Sequence, residues 1–129
     1  MYVFVRQDIS LAQQIVQSNH ATLSLSSHYG VEGTPNIVVI GVPDVAALER
    51  ACREMTAAGI PHHSWHEPDF DMGFTAITSA PIEGEQRRAL AHYKVWNVDG
   101  LLSPSSMAER ILLTDLVVGS TPTGRSMRR

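Results

Sequence analysis

Apolar residues in the first part of the chain alternate between strand-like and helix-like spacing. Tyr2-Val-Phe-Val-Arg6 is β-branched and aromatic, which predicts a first and central strand. Ser10-Leu-Ala-Gln13 matches the capping box S-x-x-Q, and the apolar residues after it recur at helical spacing. The pattern therefore predicts a first helix over about residues 10–28.

The next segments repeat this alternation. Residues 36–42 form a continuous apolar run, typical of a strand that is covered on both faces. Asp44 is a good N-cap for an amphipathic second helix that ends at Gly59. Residues 60–65 and 74–79 predict two more strands, and residues 85–93 predict a third helix. This order predicts an α/β domain of three layers, with a mixed four-stranded sheet and helices on both faces.

The character of the chain changes after residue 96. Residues 97–104 have the composition of a linker, and a second capping box then precedes another apolar segment. We therefore predict one α/β domain over residues 1–96 and a C-terminal extension over residues 97–129. The extension is expected to contain a helix at about residues 106–117 and a basic tail.

Composition places the chain among ordinary folded proteins. Apolar residues make up 43% and charged residues 18%, unlike the composition of disordered chains. The apolar runs are much shorter than the roughly 20 residues that cross a bilayer, and the first residues do not resemble a secretory signal. The single cysteine, Cys52, lies at an apolar helix position and is expected to be a buried thiol. These features predict a cytoplasmic protein that does not bind membranes.

The net charge of −3 gives no general attraction to nucleic acid. Any RNA binding must therefore use a local basic patch, and Arg87-Arg88 is one of two concentrations of basic residues. The other is the C-terminal tail. Each is also typical of a solvated surface.

The histidine-rich segment His62-His63-Ser-Trp-His66-Glu67 has the residue types of a zinc site. In a strand, however, His62 and His66 face one side and His63 faces the other, so at most two of them converge. We therefore expect no metal and no cofactor. Trp65 in this segment has the ring to stack on a nucleic acid base, although a strand tryptophan also commonly fills the edge of a core.

Three motifs, in this order along the chain, carry a resemblance to a known family. The first motif is Val5-Arg6-Gln-Asp8, followed by Gln17-Ser-Asn-His20-Ala21. The second is a strand and a helix that end at Ala57-Ala-Gly59-Ile60. The third is Asp71-Met-Gly73-Phe-Thr75, which runs into Thr75-Ala-Ile-Thr-Ser-Ala-Pro81. The first is similar to R-x-D and Q-x-x-H-A, and the last to D-x-G-x-T and the final strand, of the type 2 peptidyl-tRNA hydrolases. The resemblance covers about residues 2–93.

The resemblance implies a mixed four-stranded sheet between helices, a homodimer, and metal-free hydrolysis of the ester that joins a peptide to tRNA. Ester hydrolysis needs an activated water, a general base and donors to the developing oxyanion. The candidate catalytic residues are His20 as the base, Asp71 or Asp69 as the orienting carboxylate, and Thr75 as the hydroxyl donor. The candidate contacts to tRNA phosphates are Arg6, Arg87 and Arg88.

Two departures from the family pattern support an alternative. The family has a lysine-rich turn at the start of the first helix, whereas this chain has Ser10-Leu-Ala-Gln-Gln14 there, and its only lysine is Lys94. The D-x-G-x-T motif and the last strand also share Thr75 here. The alternative is a non-catalytic module that keeps the fold and binds RNA or a protein. A hydrolase that acts on a smaller ester is a third possibility.

Each candidate also has an ordinary structural interpretation. His20 can be a polar helix residue that bonds to a neighbouring loop. Asp69 and Asp71 are common turn residues, because aspartate accepts hydrogen bonds from nearby backbone N–H groups. Thr75 is typical of strands, because it is β-branched.

Overall fold

The computed structural model describes residues 1–98, of which Met1–Trp96 form one compact unit. Its centre is a mixed four-stranded sheet with the strand order β2-β1-β4-β3. β1 runs parallel to β2, and β4 is antiparallel to both β1 and β3. The predicted mixed sheet and the central position of the first strand are confirmed. The strands are β1 (Tyr2–Arg6), β2 (Val38–Val42), β3 (His62–Glu67) and β4 (Gly73–Ser79).

Three helices connect and follow these strands: α1 (Leu11–Tyr29), α2 (Val45–Ala57) and α3 (Glu85–Ala89). The Ser10 side chain accepts a hydrogen bond from the Gln13 N–H, and the Asp44 side chain accepts one from Ala47, so both predicted N-caps form. α1 ends at Gly30, which has a φ of 64° that glycine adopts without a steric cost.

Three elements differ by at least two residues from their predicted bounds. β2 begins at Val38, two residues after the start of the predicted run. β3 begins two residues later than expected, because the Ile60 N–H bonds to the Met55 carbonyl and completes the end of α2.

The third helix ends at Ala89 instead of Tyr93. After Ala89 the backbone N–H groups bond to carbonyl groups three residues earlier, and the chain turns. The turn brings the centre of the Tyr93 ring to 4.9 Å from that of the Phe4 ring.

The two faces of the sheet are covered by different helices. Phe4 packs with residues of α2 and α3, whereas its neighbour Val5 packs with Ala21 of α1, as expected when side chains alternate along a strand. The face of the sheet that carries Phe4 is called the α2 side below, and the face that carries Val5 is called the α1 side. The α2 side holds a large apolar core, composed of Tyr2, Phe4, Ile40, Val42, Ala47, Leu48, Ala51, Met55, Ile60, Ile77 and Leu90.

The chain returns to the sheet beside β2 before the compact unit ends. The Trp96 N–H bonds to the Val39 carbonyl at 2.6 Å, and the indole N–H of Trp96 bonds to Gln14 Oε1 at 2.7 Å. Residues 1–98 contain no helix long and apolar enough to cross a membrane. The helix predicted at about residues 106–117 and the basic tail lie outside the described residues.

Candidate functional site

A β-bulge in β4 brings Thr75 to the α1 side of the sheet. Trp65 of β3 pairs with Ala76, and the next residue, His66, pairs with Phe74, so Thr75 is the extra residue between them. Phe74 packs on the α2 side and Ala76 on the α1 side. Regular alternation would place Thr75 opposite Ala76. The bulge instead lets the Thr75 hydroxyl donate a hydrogen bond to Gln17 Oε1 of α1, at 2.9 Å.

Gln17 is the centre of a hydrogen-bonded cluster on the α1 side. Its side chain is fully buried, and its Oε1 accepts from the Thr75 hydroxyl and from the Trp65 indole N–H, both at 2.9 Å. Its Nε2 donates to Glu67 at 2.9 Å and to Gln13 at 3.1 Å. All four hydrogen-bonding positions of the amide are therefore used, which defines its orientation. These five residues are called the Gln17 network below.

His20 lies one helical turn after Gln17 and is exposed to solvent. Its ring stacks on Trp65, with a centroid distance of 5.0 Å and an angle of 22° between the ring planes. Trp65 therefore connects the buried Gln17 network to an exposed imidazole.

A groove of about 580 Å³ opens beside this stack, between α1 and β3. It is lined by His20, Leu23, Ser24, Ser27, His28 and Trp65. At the His28 end, the His28 ring stacks on His63 with a centroid distance of 5.2 Å. Burial, together with the nearby imidazoles of His28 and His66, lowers the pKa of His63.

Glu67 is the carboxylate that joins the network, whereas the two predicted aspartates lie on the exposed loop after it. The Asp69 backbone N–H points to Glu67 Oε2 at a long 3.5 Å. Asp71 has a positive φ of 53°, in a turn where aspartate is tolerated. Within residues 1–98, neither the Asp69 nor the Asp71 carboxylate forms a hydrogen bond or ion pair with His20. The structure thus brings His20 and Thr75 to one cluster without the two predicted carboxylates.

Arg6 holds the base of the same loop. Its guanidinium bonds to both carboxylate oxygens of Asp8, at 2.5 and 2.9 Å, and to the backbone carbonyls of Met72 and Phe74 at 3.0 and 3.2 Å. The hydrogen bond from Arg6 lowers the pKa of Asp8, and the same bond raises the pKa of Arg6. Four hydrogen bonds therefore engage the Arg6 guanidinium within the protein, which gives this residue a structural role in the loop.

The other two predicted phosphate contacts lie on α3, on the α2 side of the sheet. Arg87 Nε donates to the Tyr2 hydroxyl at 3.2 Å, and this bond raises the pKa of Arg87. Arg88 forms an exposed ion pair with Glu85 at 2.7 Å. Both arginines line a second groove with Tyr2 and Tyr93. The structure therefore does not bring Arg87 and Arg88 together with His20 and Thr75.

The potential metal ligands in β3 point to different partners. His66 stacks on Phe74 at 4.8 Å, whereas His63 stacks on His28. Among residues 1–98, no three His, Cys, Asp or Glu side chains are grouped as metal ligands are. Cys52 is half-buried, and its Sγ lies 3.5 Å from Ser64 Oγ.

Sequence reasoning did not select four residues of the Gln17 network as site residues. Gln13 was assigned only to the capping box at the start of the first helix. Gln17 belonged to a motif but received no role, while Glu67 and Trp65 were considered only for metal binding and base stacking. A signal for the last two was present, because residues two apart in a strand face the same side. Gln17, which bonds to both of them from α1, had no such signal.

No protein-family model matches the chain, and no curated protein is significantly similar to it in sequence. The homodimer and the cytoplasmic location stay predictions. The resemblance to the type 2 peptidyl-tRNA hydrolases therefore depends on the motifs and on where their residues lie.

Proposed function

We propose that the protein hydrolyses the ester bond between a peptide and tRNA, in a type 2 peptidyl-tRNA hydrolase-like fold, beside the Gln17 network. The observation that carries this proposal is the buried hydrogen bond from Thr75 to Gln17, two residues 58 positions apart. Each belongs to a different motif of the resemblance. Motifs that are distant in sequence and meet in one buried contact support a shared site.

Glu67 is the best placed general base in this cluster. Its Oε1 accepts a hydrogen bond from the Gln17 amide, which orients the carboxylate. Within the described part of the chain, its Oε2 has only the long contact to the Asp69 N–H. A carboxylate held in this way can accept a proton from a water molecule as the water oxygen attacks the ester carbonyl carbon. The tetrahedral intermediate then releases the ribose oxygen, which leaves as a hydroxyl after it takes up a proton.

His20 is the exposed donor on the same rim. Its imidazole is positioned by the stack on Trp65 and can hydrogen-bond to the developing oxyanion or protonate the leaving oxygen. Three further residues act as positioning residues. Gln17 holds Glu67, Trp65 holds His20, and Thr75 holds the Gln17 amide. This assignment replaces the aspartates of the motif with Glu67 and keeps His20.

The test is release of free tRNA from a peptidyl-tRNA by the full chain at low salt, where phosphate contacts are strongest. Glu67→Gln is expected to reduce kcat by about 10²-fold or more, since this is the usual contribution of a general base. Asp71→Asn is the matched comparison, because it changes the motif carboxylate instead. His92→Ala, an exposed histidine that contacts Glu54 and Tyr93, is the control for general effects.

A larger loss from Asp71→Asn than from Glu67→Gln would move the base to the motif aspartate. No hydrolysis by the correctly folded intact protein would reject the enzymatic proposal.

One observation favours a second candidate, a non-catalytic RNA-binding module. Thr75 and Gln17 are fully buried and donate all their side-chain hydrogens within the protein. Among residues 1–98, no lysine or arginine lines the groove at His20. Binding of tRNA by the intact protein without ester hydrolysis is the result expected for this candidate.

A further inference from the structure

We infer that the side-chain amide of Gln13, in the first turn of α1, donates hydrogen bonds to the oxyanion that forms when water attacks the ester. This inference rests on the proposed function, because it assigns a further catalytic residue to the same site. It also separates two roles at the rim, since His20 then hydrogen-bonds to the leaving oxygen.

The Gln13 side chain does not take the role that its motif predicts. In a capping box, the side chain of the glutamine accepts a hydrogen bond from the backbone N–H of the N-cap residue. Here the Ser10 hydroxyl accepts from the Gln13 backbone N–H at 3.2 Å, but the Gln13 Oε1 accepts from Gln17 Nε2 at 3.1 Å. The cap therefore holds the Gln13 backbone, while the Gln17 network holds its side-chain oxygen.

The hydrogen bonds of the network define which end of the Gln13 amide is which. The indole N–H of Trp65 can only donate, so the Gln17 atom that faces it is the oxygen, Oε1. Gln17 Nε2 therefore faces Gln13 and needs an acceptor there, which is the Gln13 oxygen. The Gln13 nitrogen, Nε2, is consequently the end of the amide that points away from Gln17.

This nitrogen offers two oriented donors. Within residues 1–98, neither of its N–H groups has a hydrogen-bond partner, and the Gln13 side chain is half-buried. An amide that one bond orients, and whose N–H groups still lack a partner, needs little reorganisation when negative charge develops beside it. Such preorganised donors are the groups that stabilise oxyanions in enzymes.

The distance between Gln13 and Glu67 suits an oxyanion donor and a general base. Gln17 Nε2 donates to both of them, at 3.1 and 2.9 Å, and its two N–H bonds diverge by about 120°, so the two acceptor oxygens are about 5 Å apart. The Gln13 nitrogen is about 2.2 Å from its own oxygen, which places it within about 7.5 Å of the Glu67 oxygen. A water at about 3–3.5 Å from the ester carbon fits in this span, with the carbonyl oxygen in reach of the amide.

The reaction balances with these groups. The water oxygen bonds to the ester carbon, Glu67 accepts the water proton, and the electron pair of the C=O bond moves onto the carbonyl oxygen. The Gln13 N–H groups bond more strongly to this oxyanion than to the neutral carbonyl, so they lower the barrier. When the electron pair returns, the bond to the ribose oxygen breaks, and that oxygen takes the proton from Glu67.

The experiment is release of free tRNA from a peptidyl-tRNA by the full chain, over a range of substrate concentrations that separates kcat from KM. Gln13→Ala is expected to lower kcat about 10²-fold with little change in KM, because the donor acts mainly in the transition state. Gln86→Ala is the matched control, because the Gln86 amide donates to the Gly59 carbonyl outside the network, and it should leave kcat unaltered.

Two further variants distinguish a catalytic donor from a residue that only positions Gln17. Gln13→Glu keeps an oxygen that accepts from Gln17 and removes the donors, whereas Gln13→Lys keeps a donor and removes the oxygen. A catalytic donor predicts that Gln13→Lys retains a kcat about tenfold or more above that of Gln13→Glu, each read at the plateau of its pH profile. Circular dichroism checks that each variant keeps the fold.

The outcomes separate this inference from the proposed function. A kcat of Gln13→Ala equal to that of the intact protein, or a higher kcat for Gln13→Glu than for Gln13→Lys, would overturn the inference and leave the hydrolase. No hydrolysis by the correctly folded intact protein would reject the proposed function and the role of Gln13 together.

Discussion

The two sides of the sheet are built from different kinds of residue. The α2 side is apolar, with Phe4, Leu48, Met55 and Ile77 fully buried. The α1 side has a smaller core cluster of Val5, Ala21 and Ala76, with Val39, Trp65 and Trp96 partly buried against it, and it buries the glutamine at the centre of the network. The comparison teaches that burial of apolar area stabilises mainly one side, while the other holds polar groups in a defined geometry.

The polar side also carries a direct cost. Thr78 follows the bulge on the α1 side of β4, and its buried hydroxyl oxygen has no hydrogen-bond partner among the described residues. A buried polar group without a partner costs about 1–3 kcal/mol. A side that buries polar groups in this way is not arranged for maximum stability, which agrees with the proposal that its polar side chains serve a site.

The largest effect is expected from the apolar side. Leu48→Ala removes a fully buried side chain and leaves a cavity, so it should lower the free energy of unfolding by about 3 kcal/mol. Urea denaturation followed by circular dichroism measures this change. Ester hydrolysis by the fraction that remains folded should be unaltered, because Leu48 packs on the α2 side, opposite the Gln17 network. A loss below about 1 kcal/mol would mean that the α2 side is not the main source of stability.

A smaller loss of stability, with a larger loss of function, is expected from the polar side. Gln17→Met keeps the size of the side chain and removes the partner of Trp65, Glu67 and Thr75, so it should cost about 2 kcal/mol. Activity should fall as strongly as in Glu67→Gln, since the carboxylate loses its orienting amide. Gln86→Met is the matched control, because the Gln86 amide donates an exposed hydrogen bond to the Gly59 carbonyl and lies outside the Gln17 network. Full activity of Gln17→Met would separate the network from the site.

The smallest effect is expected at the exposed rim, from the ion pair of Arg6 and Asp8. The hydrogen bond from Arg6 lowers the pKa of Asp8 in the folded protein, so this stabilisation is present above the unfolded carboxyl pKa of about 3.9 and is lost as the pH falls through the lower folded value. Because the Asp8 side chain is 40% exposed, the contribution is about 0.5 kcal/mol.

Asp8→Asn should therefore lower stability by that amount at pH 6 and leave it nearly unchanged at pH 2.5. Thermal unfolding at the two pH values measures the difference. An equal loss at both values would show that the Asp8 side chain stabilises the loop by packing and not by charge.

Local signals explain why much of the fold could be predicted. Ser10 and Asp44 cap helices through hydrogen bonds to residues only three positions away, and apolar spacing depends on each element alone. The errors lie where a distant contact decides. Tyr93 leaves the helical pattern to reach Phe4, a residue 89 positions earlier in the chain, and no local rule anticipates that packing.

By itself the sequence determined the order and type of the elements and placed Gln17, His20 and Thr75 in motifs. Only the tertiary structure decided that Thr75 turns to the α1 side and that Glu67, not Asp69 or Asp71, joins Gln17. The physical reason is that the bulge exists only when β4 pairs with β3, because an extra residue is defined by its partner strand. The Gln17 amide likewise finds its four partners only when α1 packs against both strands.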